Sequence, residues 1–199
     1  MFLLTRPSPE HIRAFLESQR NRPFSYPDSG GSRIEAPGGY TVDRNRVRLG
    51  TGREVFQWGI KAVRGWKMFD IPWLSLCWPD APIEAGATVA VVVSHFGFRS
   101  MNACRIVYVI EEENAFGFGY GTLPGHAEIG EERFTVEFHP DDRSVWYDIY
   151  AFSRPRALVR LAKPAARILQ KRFAVDSKHA MRRAVERAWV STHIGSSDG

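Results

Sequence analysis

The chain has 199 residues, of which 44% are hydrophobic and 25% charged, and its formal net charge is +5. This composition excludes a wholly disordered chain, and the length favours a single domain, since about 100–200 residues per domain is usual. Two cysteines, Cys77 and Cys104, are too few for a disulfide framework. The sequence shows no signal-peptide core and no run of about 18 apolar residues, so we expect a cytoplasmic protein without a membrane span.

The first third of the chain combines helices with an irregular loop. Ser8 followed by Pro9 indicates a helix start, because Ser caps the first turn and Pro has no amide hydrogen to lose. Residues 21–40 are rich in proline and glycine and predict an ordered loop. An extended segment over 40–48 follows, and then a helix over 52–68 whose apolar residues recur at helical spacing.

From residue 73 to residue 152 the apolar pattern changes to a period of two, which is typical of half-buried strands. Turn-forming residues divide this region into segments joined by short links. The predicted strands are 74–78, 87–95, 101–111, 115–122, 130–138 and 144–152. Consecutive strands with short links indicate an antiparallel meander.

Helical spacing returns over residues 154–190. Pro164 is expected to kink or split this helix, because proline removes one backbone donor. We expect Leu161, Ile168 and Leu169 to face the sheet, whose apolar side the helix would cover.

The sequence therefore predicts an α+β fold, with a curved antiparallel sheet of about seven strands wrapped around a long C-terminal helix and an extra N-terminal helix. We divide the chain into three parts. Residues 1–38 form an N-terminal helix and loop packed on the domain, residues 39–190 form the sheet-and-helix domain, and residues 191–199 form a flexible tail.

Short motifs distributed along most of the chain resemble those of a bacterial and plant family known only as a domain of unknown function and an uncharacterised protein family. They are RVRLGTG at 46–52, WKMF at 66–69, LCWP at 76–79, PIEAGA at 82–87, NACRIVY at 102–108, GYGTLPGH at 119–126, GEERF at 130–134 and FSRP at 152–155. The combination of the Tyr-Gly-Thr-Leu-Pro and Gly-Glu-Glu motifs is specific. The resemblance extends from about residue 25 to about residue 173.

That family is similar to the helix-grip superfamily of birch-pollen-allergen-like proteins, START-like proteins and polyketide cyclases. The resemblance implies a helix-grip fold in which a small hydrophobic molecule lies between the sheet and the C-terminal helix. It agrees with the fold derived from periodicity, and it supplies no catalytic residue.

Glu132 is the most informative charge in the sequence. Alternation over 130–138 places it on the same strand face as Phe134, Val136 and Phe138. If that face lines a cavity, the carboxyl must be protonated, paired or functional, because an unpaired buried charge is costly. A solvated glutamate at the rim of the sheet is the alternative.

His126 lies in the predicted turn before that strand, at the expected mouth of the cavity. A histidine near a carboxyl group can carry protons at neutral pH, so Glu132 and His126 are the candidate catalytic residues. A hydrogen bond between His126 and the turn backbone is the simpler alternative.

Other side chains are expected to contact the ligand. Phe116, Phe118, Tyr120 and Thr122 share one strand face, with glycine at the positions between them, although core packing explains this face equally well. The complete predicted set of ligand contacts is Tyr108, Phe116, Phe118, Tyr120, Thr122, Phe134, Tyr147, Leu161 and Ile168.

Two polar residues in the predicted strands, Arg105 and Asp148, have a structural alternative to any catalytic role. They carry opposite charges within strongly apolar segments, and an ion pair between them would satisfy both.

Residues 154–190 contain eleven Lys or Arg and two acidic residues. Six of the basic residues fall on one helical stripe: Arg156, Arg160, Lys163, Arg167, Lys171 and Lys178. Such a stripe either contacts an anionic surface or forms a solvated outer face. Because no nucleic-acid-binding module accompanies it, no nucleic acid partner is expected.

Motifs of metal, nucleotide and nucleophile sites are absent from the sequence: His-Glu-x-x-His, Cys-x-x-Cys, Gly-x-Ser-x-Gly and the phosphate loop. Neither a metal nor a cofactor is therefore expected. The leading hypothesis is binding of a small hydrophobic or amphipathic molecule between sheet and helix. The alternatives are a cofactor-independent cyclase, dehydratase or hydrolase using the same cavity, and anionic-surface binding through the basic helix. The sequence does not indicate an oligomeric state.

Overall fold

The structure is a computed structural model that describes residues 2–78, 80–95, 97–155 and 163–193. Three α-helices lie within these ranges: α1 (Pro9–Gln19), α2 (Arg53–Arg64) and α3 (Lys163–His193). The described strands are β1 (Phe2–Leu3), β2 (Thr41–Thr51), β3 (Leu74–Cys77), β4 (Thr88–His95), β5 (Phe98–Glu112), β6 (Ala115–Thr122), β7 (Glu128–Phe138) and β8 (Ser144–Pro155). Single 3₁₀ turns occur at Gly31–Arg33 and Lys67–Phe69.

All strands belong to one antiparallel sheet in the order β2-β8-β7-β6-β5-β4-β3, which confirms the predicted meander from β3 to β8. Strand β5 pairs with β6 only from Cys104 onward, and β1 pairs with the earlier part of β5 at Ser100 and Arg99. Strand β1 is not among the predicted strands. Residues 154–155, which were predicted as part of a helix, instead extend β8.

The inner face of the sheet carries the main core. Helix α2 and the turn after it pack on the inner face and bury Phe56, Val63 and Phe69 against β6, β7 and β8. Phe134 lies at the centre of an aromatic cluster, with its ring centroid 5.6 Å from that of Phe69 and 5.5 Å from that of Phe118. A single apolar core therefore fixes the position of the sheet relative to α2.

The outer face is partly covered by the N-terminal segment. Ser8 caps α1 by accepting a hydrogen bond from the backbone N–H of His11, as predicted. Arg105 donates to the carbonyl oxygens of Gln19, Arg20 and Arg22 and so holds the end of α1 on the sheet. The alternative of an Arg105–Asp148 ion pair is thus wrong.

Glu131 anchors the loop that follows α1. Its carboxylate is only 3% exposed and accepts hydrogen bonds from the Tyr26 hydroxyl (2.5 Å) and from the backbone N–H groups of Gly30 (2.8 Å) and Ser32 (2.9 Å). The Ser32 hydroxyl also donates to it. One buried carboxylate therefore satisfies the polar groups of an otherwise irregular segment, as buried charge requires.

Tyr108 was expected to contact the ligand but lies under this loop, where its hydroxyl is 2.6 Å from Ser32 Oγ. The reason is a β-bulge between Ile106 and Tyr108, which reverses the alternation along β5. The Tyr108 ring lies against Gly119 of β6, where a Cβ would come within 2.5 Å of it. Glycine at this position is therefore needed for close approach of the ring.

Helix α3 begins at Lys163, so Pro164 lies in its first turn, where a missing backbone N–H breaks no intrahelical hydrogen bond. Residues 156–162, on which the kink or split of a helix over 154–190 depends, lie outside the described residues. Ile168 is 60% exposed, and its assignment to the sheet-facing side and to the ligand contacts is wrong. The buried side of α3 carries small residues, such as Ala174 and Ser177, together with Met181. Leu161 lies outside the described residues. Positions 191–193, assigned to the tail, belong to α3.

We predict that Met181→Ala destabilises the protein by about 2–5 kcal/mol, because Met181 is fully buried and its loss leaves a cavity. Ile168→Ala is the control on the exposed side of the same helix and should change the free energy of unfolding by no more than about 0.5 kcal/mol. Urea denaturation of both variants measures the difference. Equal losses of stability would contradict the orientation of α3.

Candidate functional site

A cavity of about 370 Å³ lies between the inner face of the sheet and α3. It occupies the side of the sheet that α2 leaves uncovered, because no residue of α2 contributes to its wall. The described residues that line it are Phe69, Trp73, Leu74, Val91, Val93, His95, Phe98, Ser100, Asn102, Tyr120, His126, Ala127, Glu128, Glu132, Ala165, Ala166, Leu169, Gln170 and Phe173.

Aromatic rings form much of the apolar wall. The Phe69 ring lies between Tyr120 and Phe173, with centroid separations of 6.2 Å and 5.5 Å. Trp73 donates its indole N–H to Asp176 of α3 at 2.7 Å, which fixes the orientation of that ring. These contacts connect the sheet, the turn after α2 and α3 around the same space.

Glu132 faces the cavity, as the alternation along β7 predicts. The Tyr120 hydroxyl donates a hydrogen bond to Glu132 Oε2 at 2.9 Å. The two residues are direct cross-strand partners on β6 and β7, so the register of the sheet brings them together. A phenol and a carboxyl group thus share one wall of the cavity.

Burial raises the pKa of Glu132 to about 8. The hydrogen bond from Tyr120 acts in the opposite direction, whereas the negative charges of Glu128 and Asp43 raise the pKa further. The carboxyl of Glu132 is therefore mostly protonated at neutral pH and can exchange its proton in the physiological range. Such a value suits a general acid or base.

Glu128 is the second carboxyl group of the cavity wall, and α3 holds it in place. Gln170 Nε2 lies 2.7 Å and 2.8 Å from its two oxygens. Burial raises the pKa of Glu128, while the hydrogen bond from Gln170 and the nearby charge of Arg167 lower it. Because both of its oxygens are engaged, Glu128 joins β7 to α3.

His126 also lines the cavity, and its Nδ1 accepts a hydrogen bond from the backbone N–H of Glu128 at 2.9 Å. This is the backbone contact that the sequence analysis gave as the simpler alternative. It leaves the proton of a neutral ring on Nε2. The catalytic roles of His126 and Glu132 stay predictions.

The other predicted ligand contacts divide into distinct groups. Tyr120 lines the cavity, whereas four aromatic residues from the inner face are buried in the core beside α2 and do not: Phe116, Phe118, Phe134 and Tyr147. Their strand face was predicted correctly, but α2 fills this part of the groove. Thr122 is also buried outside the wall, where its hydroxyl accepts from the Gly130 N–H and bonds the Ser25 hydroxyl.

Several wall residues were missed. Trp73, His95, Asn102 and Gln170 all line the cavity. His95 was accessible from the sequence, because it continues the alternation of Val91 and Val93 along β4. Leu169 lines the cavity, in agreement with its predicted sheet-facing position. Gln170 was missed because Ile168, which is exposed, was assigned to that face instead.

The basic stripe of α3 is not a uniformly solvated face. Arg167 forms a bidentate pair with Asp43 of β2, and Lys178 donates to Asn45 Oδ1 at 3.5 Å. The stripe residues Arg156 and Arg160 lie outside the described residues. None of the described helices combines the length and the hydropathy that a bilayer crossing requires. Within the described ranges, no group of three or more His, Cys, Asp or Glu is arranged to hold a metal ion.

Comparison with known proteins confirms the resemblance seen in the motifs. A family model described as "Domain of unknown function (DUF1990)" matches residues 25–180. A UPF0548 protein of Dictyostelium discoideum is 33% identical over 93% of this chain and 96% of its own length. A UPF0548 protein of Deinococcus radiodurans is 36% identical over 87% of this chain and 93% of its own length.

Similar solved structures include Ara h 8.0201 and the protein TTHA0849 of Thermus thermophilus, each with a TM-score of 0.50 and 12% identity. They cover 75% and 74% of this chain, and 99% of each neighbour is matched. The di-domain ARO/CYC protein BexL from the BE-7585A biosynthetic pathway also matches, with a TM-score of 0.50, 12% identity, and coverage of 75% of this chain and 51% of its own. Likeness at this identity shows the fold, and it confirms the helix-grip prediction.

The raised pKa of Glu132 predicts a pH-dependent stability. The folded state holds a proton between the ordinary pKa of 4.5 and about 8, whereas the unfolded state does not. The contribution of this group to stability is therefore fully present below about pH 4.5 and is lost as the pH rises through about 8. Glu132→Gln should flatten this decline, as measured by urea denaturation across the pH range.

Glu113→Gln is the matched control, because Glu113 is exposed and pairs with Arg53 outside the cavity. It should keep the wild-type pH profile. If Glu132→Gln retains the same profile as the wild type, Glu132 does not titrate in this range.

Proposed function

The chain belongs to the DUF1990 family, a domain of unknown function, and from its cavity we propose that it binds a small hydrophobic or amphipathic molecule between the sheet and α3. The single observation that carries this proposal is a space of about 370 Å³ with a mainly aromatic and aliphatic wall. Cavities that bind small molecules are typically about 300–1,000 Å³ and apolar, with few polar groups.

The wall is suited to an elongated or ring-containing apolar body. Phe69, Trp73 and Phe173 offer ring faces and edges, and Leu169 adds an aliphatic surface from α3. Each square ångström of apolar ligand surface that leaves water contributes about 25 cal/mol, so such a molecule gains most of its affinity here.

Four of the polar wall residues lie on β6, on β7 and in the turn between these strands. Glu132 and Tyr120 form one hydrogen-bonded pair, and His126 and Glu128 lie on the adjoining turn and strand. Few polar groups in an apolar cavity orient a ligand without supplying most of its binding energy. We therefore favour an amphipathic ligand whose polar group lies at Glu132.

A specific observation also supports a second candidate, a cofactor-independent enzyme such as a cyclase, dehydratase or hydrolase. Glu132 has a pKa of about 8 in a buried site and is bonded to a phenol, which is an arrangement able to exchange a proton with a bound molecule. The structural neighbour BexL is an ARO/CYC protein of a biosynthetic pathway, although 12% identity transfers no activity.

Anionic-surface binding has less support from the described residues. Arg167 and Lys178 of the basic stripe are engaged with β2, so neither projects freely from α3. We retain this function only as the alternative in which the cavity has no role.

Filling the cavity tests the leading proposal. Ala166 lines the wall, so Ala166→Trp should lower affinity for a neutral apolar probe, N-phenyl-1-naphthylamine, by about tenfold or more, which corresponds to about 1.4 kcal/mol. Probe fluorescence on titration with the protein gives the affinity. Ile168→Trp, on the exposed side of α3, is the control and should bind like the wild type. If both variants bind equally, the probe does not occupy this cavity.

The enzyme candidate is tested with the molecule that co-purifies with the protein. Mass spectrometry of this molecule after incubation with ligand-free protein should show a converted product if the protein is an enzyme. Glu132→Gln should abolish the conversion while keeping the fold, because it retains the shape of the side chain and removes the titrating proton. An unchanged mass with the wild type, together with retained binding, would favour carriage.

A further inference from the structure

The cavity wall is acidic. Two carboxyl groups, Glu128 and Glu132, lie among its described residues, and these include no Lys or Arg. Arg167 of α3, whose charge lowers the pKa of Glu128, forms a bidentate pair with Asp43 and also donates to Gln170 Oε1 at 3.0 Å. Arg172 lies over the Trp73 ring and is paired with Asp176. Neither of these arginines forms an ion pair with Glu132.

The two carboxyl groups differ in how many further hydrogen bonds they can accept. Glu128 receives Gln170 on both oxygens, whereas Glu132 receives one hydrogen bond from the described residues, from Tyr120 to Oε2. None of the described residues donates a hydrogen bond to Glu132 Oε1, and Glu132 lines the cavity. A carboxylate has room for about four hydrogen bonds. Glu132 is therefore the group with capacity left for a ligand.

We propose that the ligand is an amphipathic amine, whose ammonium group pairs with the Glu132 carboxylate while its apolar body lies against the aromatic wall. This inference rests on the proposed function and specifies its ligand class. An ammonium group supplies three donors for Oε1 and Oε2 of Glu132. The rings of Tyr120, Phe69 and Phe173 add attraction for a nearby cation.

The same set of charged wall residues disfavours a ligand with an anionic head group. A carboxylate or phosphate at this position would meet Glu132 and Glu128 without a described Lys or Arg on the wall, in a site where charge interactions are stronger than in water. A neutral hydroxyl could bond Glu132 but would gain no charge pairing. The order of affinities expected at neutral pH is amine, alcohol, carboxylate.

Binding of an amine has a proton signature. At about pH 7 the Glu132 carboxyl holds its proton, since its pKa is about 8, and pairing with an ammonium group sends that proton to solvent. Close to one proton should be released per amine bound, and fewer at about pH 9, where the carboxyl is already ionised. The titratable groups that influence or share this site are Asp43, His95, Cys104, Tyr120, His126, Glu128, Tyr147 and, through Glu128, Arg167.

Three probes with the same apolar chain test the inference on the 199-residue chain: decylamine, decanol and decanoate. Isothermal titration calorimetry in buffers of different ionisation enthalpy gives both the affinity and the number of protons released. We expect decylamine to bind at least about tenfold more tightly than the other two, with proton release only for the amine. Because the protein carries a net charge of +5, non-specific attraction would favour decanoate instead.

Variants locate the effect. Glu132→Gln should abolish both the amine preference and the proton release while changing decanol affinity only modestly, because Gln keeps the hydrogen-bonding reach of the side chain. Glu113→Gln, outside the cavity, should behave like the wild type. Tyr120→Phe is a second, independent variant. It removes a hydrogen bond that lowers the pKa of Glu132, so proton release should persist to higher pH than in the wild type.

The outcomes separate the two proposals. Equal binding of decylamine and decanol, or tighter binding of decanoate, would overturn the amine inference while leaving the cavity as a ligand site. An amine preference that survives in Glu132→Gln would overturn the assigned position. If none of the probes binds, the proposed function fails together with the inference.

Discussion

The pleat of β7 places two successive carboxyl groups on opposite faces of the sheet. The N-terminal loop on the outer face and the cavity on the inner face both depend on this alternation. Glu131 points outward, where it collects the donors of the N-terminal loop. Glu132 points inward to the cavity, with Tyr120 as its described hydrogen-bond donor. The same residue type thus performs a structural task on one face and provides a reactive group on the other, because the number and kind of partners differ.

Phe69 lies at the boundary between the packed core and the cavity on the inner face of the sheet. Its ring contacts Trp66 and Phe134 of the packed core, and also Tyr120 and Phe173 of the cavity wall. Helix α2 and the 3₁₀ turn that follows fill the sheet only as far as this ring. The space beyond it is bridged by α3, whose buried residues include the small Ala174, Ser177 and Ala180. A bulky residue supports the boundary, and small residues leave room behind it.

Much of this arrangement follows from local patterns. Alternation identified the strands and the inward face of Glu132, since period two is set by backbone geometry alone. The errors have physical causes that such patterns do not contain. On α3 the bulky Ile168 and Val175 are exposed, whereas the small Ala174 and Ser177 are buried. A prediction that buries the large apolar residues therefore assigns Ile168 to the wrong side of the helix. A β-bulge turned Tyr108 to the outer face of the sheet. Tertiary packing decided which part of the inner face α2 fills and which part stays open as the cavity.

The Glu131 anchor has a consequence for the order in which the chain folds during synthesis. Ser32 and Glu131 are 99 residues apart in the sequence, so the loop is made long before its acceptor. At about 5–20 residues per second, the delay on the ribosome is about 5–20 s. During that interval the backbone N–H groups of Gly30 and Ser32 have no carboxylate of Glu131 to bond. Docking of this loop is therefore a late event that reports completion of β7, whereas α1 packs on strands that are made earlier.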